Sequence, residues 1–220
     1  MKTRQRKYRI ANMFDRIIAS IFLVLLASGP VAAQTSEKVW NFDAGIPDSL
    51  PGGFTAAVGD WKIVADPSAP SRPNVLAQAA HNSGSTFNLI WTSEVSSKTV
   101  DIAVKMKAIA GTEDQGGGLA WRGKDANNYY VARYNPLEDN YRVYKVEKGR
   151  RIQLQSADIK HTEGWHTLHV TMNGDHIQCY YDGQKYLDVK DSTFPEPGKI
   201  GLWTKSDAQS HFDDLSIISK

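Results

Sequence analysis

Between Asn127 and Arg151 the chain reads NNYYVARYNPLEDNYRVYKVEKGRR, which interleaves Tyr129, Tyr130, Tyr134, Tyr141 and Tyr144 with Arg133, Arg142 and Lys145. Aromatic faces stack on the apolar C–H faces of sugar rings, while arginine, asparagine and carboxylates fork hydrogen bonds to hydroxyls. A sheet face that carries both types is suited to a polyhydroxylated ligand. Alternation along a strand sends Tyr129, Arg133 and Asn135 to one side and Tyr130 and Tyr134 to the other, and in LAWRG it separates Trp121 from Arg122. Arginines rarely face a packed core unpaired, so the Arg122 and Arg133 sides are expected to face solvent or a cleft. The candidate ligand-binding set is Arg122, Tyr129, Arg133 and Asn135, joined from the next strand by Lys145, or by Arg142 if a bulge exchanges their faces. The same residues also suit a sheet with no ligand, where cross-strand pairs contribute about 0.2 to 1 kcal/mol each.

Other reactive types are sparse. Cys179 is the single cysteine, so it has no intrachain disulfide partner, and its alternation with Ile177 and Tyr181 marks a buried strand position. His166 and His169 lie three apart on an expected strand and therefore on opposite faces, which makes a poor zinc pair. Trp121, Trp165 and Trp203 are expected in the core; Trp91 is open between core and platform.

The elements that must position these residues are strands. WHTLHVTMNGDHIQCYYDGQKYLDV places Leu168, Val170 and Met172 on one face, turns at Asn173-Gly174, continues through Ile177, Cys179 and Tyr181, and turns again at Asp182-Gly183. Further strands are expected near 38–42, 61–65, 86–91, 99–109, 117–123, 128–135, 141–147, 151–155, 198–204 and 211–218, with a proline-rich surface loop over 65–75. So many short strands in one domain imply an all-β, two-sheet antiparallel jelly-roll sandwich.

The first 33 residues read differently. A basic segment, a 13-residue apolar run at 17–29 and small residues at Val31 and Ala33 follow the order of a secretory signal peptide, giving an exported domain over 34–220. The apolar run is shorter than the roughly 20 residues that cross a bilayer. This segment holds six of the 26 basic residues and one of the 24 acids, so the remainder is slightly acidic. It offers no general field for nucleic acid or an anionic membrane, and a periplasmic or secreted monomer is expected.

Taken in order, GGGLAWRGKDANNYYVARYN, GWHTLHVTMNGDHIQCYYDGQKYLDV and GKIGLWTKSDAQSHFDDLSI resemble the concanavalin A-like lectin/glucanase superfamily. Within it the likeness is to laminin G-like domains, 3-keto-disaccharide hydrolase-like domains and family 16 glycosidase-like proteins, over about residues 36–220. The resemblance implies a curved sandwich with carbohydrate on its concave face. It also implies structural calcium where the first and last strands meet, at Asp43, Asp213 and Asp214. Catalytic family 16 enzymes carry their acids on one strand as E-x-D-x-x-E. Here no two glutamates lie closer than nine residues, and TVDIAVKM offers Asp101 alone, so that mechanism is not expected. Loop carboxylates Glu113, Asp114, Asp125 and Glu138 are the alternative, with no catalytic residue assigned. The expectation is a carbohydrate-binding module, with a hydrolase acting on 3-keto-disaccharides and a protein-binding adhesion domain as alternatives.

Overall fold

The structure, a computed structural model, describes residues 36–219, and the expected signal peptide lies outside them. The strands, numbered in chain order, form two antiparallel sheets. One runs β13 (Gln184–Lys190), β12 (His176–Tyr181), β11 (Trp165–Asn173), β6 (Val100–Ala110), β15 (Gln209–Ser219), β4 (Asn74–Gln78) and β3 (Trp61–Ala65), with β1 (Ser36–Trp40) also paired to β15. The other runs β10 (Arg150–Asp158), β9 (Asn140–Glu147), β8 (Asn128–Asn135), β7 (Gly117–Asp125), β14 (Gly198–Lys205), β5 (Phe87–Ser97) and β2 (Phe54–Val58). This is the expected jelly-roll sandwich. Among the described residues no helix is long and apolar enough to cross a membrane.

Turn chemistry sets the registers. Asp182 and Gly183 both take positive φ, 48° and 80°, as a two-residue hairpin turn requires, and β12 returns as β13. Between the sheets, Val104 and Met106 of β6 and Leu168 and Val170 of β11 meet Leu119, Trp121, Tyr130 and Tyr134, all at most 1% exposed. Each large apolar side chain buried this way contributes about 1.5 to 3 kcal/mol. Trp121 stacks on Tyr130 with centroids 5.7 Å apart. Cys179 is fully buried, as its alternation indicates, and burial pushes its thiol well above the usual range.

Two strands are not expected from the sequence, β2 and β4. All five residues of β4 are buried, so NVLAQ shows no alternation to read. The loop expected over 65–75 accordingly ends sooner, because Asn74 and Val75 belong to β4.

Candidate functional site

A second hydrophobic cluster lies on the face of the seven-stranded sheet that turns away from the core. Leu89, Trp91, Tyr129, Val131, Tyr144 and Trp203 belong to it, each at most 4% exposed. Phe87 and Ala126 pack against these outward-pointing side chains, and Arg151 lies over the rings of Tyr144 and Trp203. The Trp203 Nε1–H donates to the Tyr129 hydroxyl at 3.1 Å, and Trp91 meets Tyr129 edge-on at 5.6 Å. Trp91 lies over two glycines: a Cβ on Gly123 or Gly201 would come within 2.5 and 2.8 Å of its ring. Beside it a cavity of about 300 Å³ is lined by residues that include Thr55, Trp91, Thr92, Asp125, Ala126 and Lys199.

The other end of this face is ionic. Arg133, 1% exposed, donates from Nη1 to Asn140 Oδ1 at 3.2 Å and from Nη2 to Glu138 Oε2 at 3.1 Å. Burial alone would raise the Glu138 carboxyl, but Asn140, Arg133 and Arg142 together hold it down to about 2. Asp114 accepts from Asn135 Nδ2 at 2.8 Å and pairs with Lys205 Nζ at 3.0 Å. Arg151 lies over the Tyr144 ring at 4.5 Å and near Phe87 and Trp203 at 5.5 and 5.7 Å, where burial lowers its hold on its proton. Arg133 Nε and Arg151 Nη1 are buried without a hydrogen-bond partner among the described residues.

The sequence-derived candidates divide between two places. Arg133 and Asn135 stand in the ionic end, and Tyr129 lies on the same face but fully covered. Arg122 is elsewhere, a correction to the face expected for it. Its φ is 48° and the pairing of β7 with β8 slips between Trp121 and Asp125, so simple alternation fails. Its guanidinium, 1% exposed, donates to the carbonyls of Phe194, Lys98 and Gly174 at 2.8, 2.7 and 2.9 Å. Lys145 is also off the face, bonded to Asp191 at 3.0 Å and Thr193 at 2.7 Å. Trp203 and Trp121 are buried as expected, though Trp203 faces outward; Trp165 is half-buried. Lys199, Lys205 and Arg151 were not singled out in the sequence. The signal was present in GKIGLWTK, where Lys199, Gly201, Trp203 and Lys205 alternate onto one face.

Two of the acids expected to hold calcium, Asp43 and Asp213, accept hydrogen bonds within the protein. Asp213 accepts from the Ser71 N–H and hydroxyl and from the Asp214 N–H, and Asp43 Oδ1 accepts from the Asn74 N–H. Burial raises the Asp213 carboxyl. Among the described residues no group of three or more His, Cys, Asp or Glu side chains gathers as a metal site. Glu113, another loop acid, is taken up by the Ser206 hydroxyl and the Gly84 N–H.

Comparison with known folds agrees with this architecture. The carbohydrate binding module CBM66 from Bacillus subtilis superposes with a TM-score of 0.64 at 21% identity, covering 75% of this chain and 95% of that one. A Bacillus licheniformis β-glucanase gives 0.57 at 11% identity, covering 86% and 99%. The GH43 protein BlXynB from Bacillus licheniformis gives 0.56 at 16% identity, covering 80% of this chain and 38% of that longer one. A search of curated proteins finds no sequence match. A family model matches residues 52–218, a span that runs from β2 into β15 and leaves out β1. The chain belongs to the 3-keto-alpha-glucoside-1,2-lyase-like domain family.

Proposed function

We propose that the chain is an exported carbohydrate-binding module whose ligand lies along the outer face of the seven-stranded sheet. The observation that carries this is the cavity at Trp91, where an aromatic, a lysine and an acid, Trp91, Lys199 and Asp125, line one hollow, the Asp125 carboxylate also accepting from the Asn127 N–H and Asn128 Nδ2. Lys199 and Lys205 leave the same face of β14 six residues apart, which makes the face about 20 Å long, enough for a short oligosaccharide. Likeness of fold to a carbohydrate binding module supports the reading. Titration of the full chain with a glycan panel by calorimetry is the test. Lys199→Ala and Asp125→Ala are each expected to weaken a confirmed ligand about tenfold while leaving the near-UV circular dichroism unchanged. Parent-like affinity in both variants defeats the reading.

Family membership favours a second reading, cleavage of a 3-keto glycoside. A ketone at C3 acidifies the C2–H bond. A base takes that proton, the electron pair forms the C1–C2 double bond, and the C1–O bond breaks, the aglycone leaving with the proton that the base returns to it. Water added across the double bond completes a net hydrolysis. In the Trp91 cavity Asp125 would serve as the base and Lys199 would hold the developing C3 oxyanion. Methyl 3-keto-α-glucoside incubated with the full chain should release methanol, and Asp125→Asn should abolish the release. Intact substrate with retained affinity assigns the cavity to binding alone.

A further inference from the structure

A larger cavity, about 450 Å³, opens at one end of the sandwich beside the loop that joins β10 to β11. Tyr134 enters its wall from the seven-stranded sheet and His166 from the eight-stranded sheet, and Lys107, Gln115, His161 and Glu163 are among the residues that complete it. Tyr134 leaves the face of β8 opposite to Arg133 and Asn135, so a whole sheet separates this cavity from the outer face.

The polar groups of this wall fall into two classes. His166 is committed to Asp182 at 2.8 Å and to Thr162, and Lys107 to Ser68 at 2.8 Å. The remainder have capacity to spare. The Tyr134 hydroxyl, on a residue 1% exposed, reaches His161 Nδ1 only at 3.5 Å, the outer limit for a hydrogen bond. The Tyr181 ring packs 4.8 Å behind it. The side chains of Gln115 and Glu163 make no hydrogen bond or ion pair among the described residues.

A phenol, an imidazole and a primary amide each both donate and accept, and a carboxylate accepts twice. Vicinal hydroxyls, which each donate and accept, are their complement. Lys107 is held by Asp66 at 3.5 Å as well as by Ser68, so it offers no free cation, and the Glu163 carboxylate disfavours an anionic ligand. The volume lies in the range of small-molecule sites and accommodates a monosaccharide unit. We infer that this end cavity is a second carbohydrate site, for a neutral monosaccharide unit, independent of the outer face. A glycan long enough to reach both sites on one chain, or on neighbouring chains, gains avidity that neither site supplies alone.

The test is a series of ¹H–¹⁵N spectra of the full chain titrated with methyl α-glucoside and, separately, with sucrose. Shifts are expected at Gln115 and at His161, Thr162, Glu163 and Gly164. Glu163→Gln, an exposed loop substitution, should weaken them about tenfold, because a charged hydrogen-bond acceptor is lost. Lys199→Ala should leave these shifts in place, whatever it does to ligands of the outer face. The inference is overturned if neither sugar shifts these residues at saturating concentration. It is equally overturned if Glu163→Gln and Gln115→Ala both bind as the parent, or if Lys199→Ala abolishes the shifts and so reveals a single site.

Discussion

Arg122 and Arg133 share a sheet and a residue type, and their surroundings divide their roles. Arg122 is a clamp: three carbonyls from three different segments converge on one buried guanidinium. Arg122→Met leaves those carbonyls without donors and is expected to cost about 3 kcal/mol or more, read as a lower midpoint in urea with the slope unchanged. Arg133 is as buried as Arg122, but its acid, Glu138, is exposed and can turn to water when the guanidinium is removed, so Arg133→Met should cost less stability than Arg122→Met in the same measurement. Asp191 supplies the pH test. Burial would raise its carboxyl, but Thr193, Tyr130 and Lys145 together hold it at about 2. A carboxyl depressed in the folded state contributes fully above its unfolded value near 4, and that contribution is lost as the pH falls towards about 2. Asp191→Asn should therefore flatten the fall in thermal midpoint across that window relative to the parent. Of these roles the sequence discloses little. Arg122 is misread because a bulge cannot be seen in alternation, and Lys145 because its partners come from a loop more than forty residues away.

At the scale of elements, most of the fold is legible. Period-two patterning and the Asn-Gly and Asp-Gly turns locate the β11–β12–β13 meander with its faces correctly assigned. The reading fails at β4, buried on both faces, and at β7, where the register slips. β14 explains why glycines belong in a central strand here. A Cβ on Gly201 would lie 1.9 Å from the Ile90 carbonyl oxygen and 2.8 Å from the Trp91 ring. Gly201→Ala is expected to destabilise by about 3 kcal/mol and to shift the tryptophan emission, whereas Gly52→Ala, with open space around it, should do neither. The ionic end of the outer face was only half visible because its members come from β8, β9, β10, β14 and two loops. Spacing within one segment reports nothing about partners that only the closed sandwich brings together.

At the scale of the molecule, the single thiol is sealed within the sandwich and held in its protonated form by burial. A thiol reagent should label Cys179 only through opening of the sandwich, and at reagent concentrations where labelling outpaces reclosing the rate reads the opening rate. The pairing of β1 with β15 has a further meaning. Ser36 lies opposite Ser219, so the described chain begins and ends at one point in space, and its path is very nearly a loop. Such a path has no obligatory starting residue. A short linker across that point, with a new opening cut at the exposed Lys148-Gly149 tip, should yield a permuted protein that folds to the same two sheets.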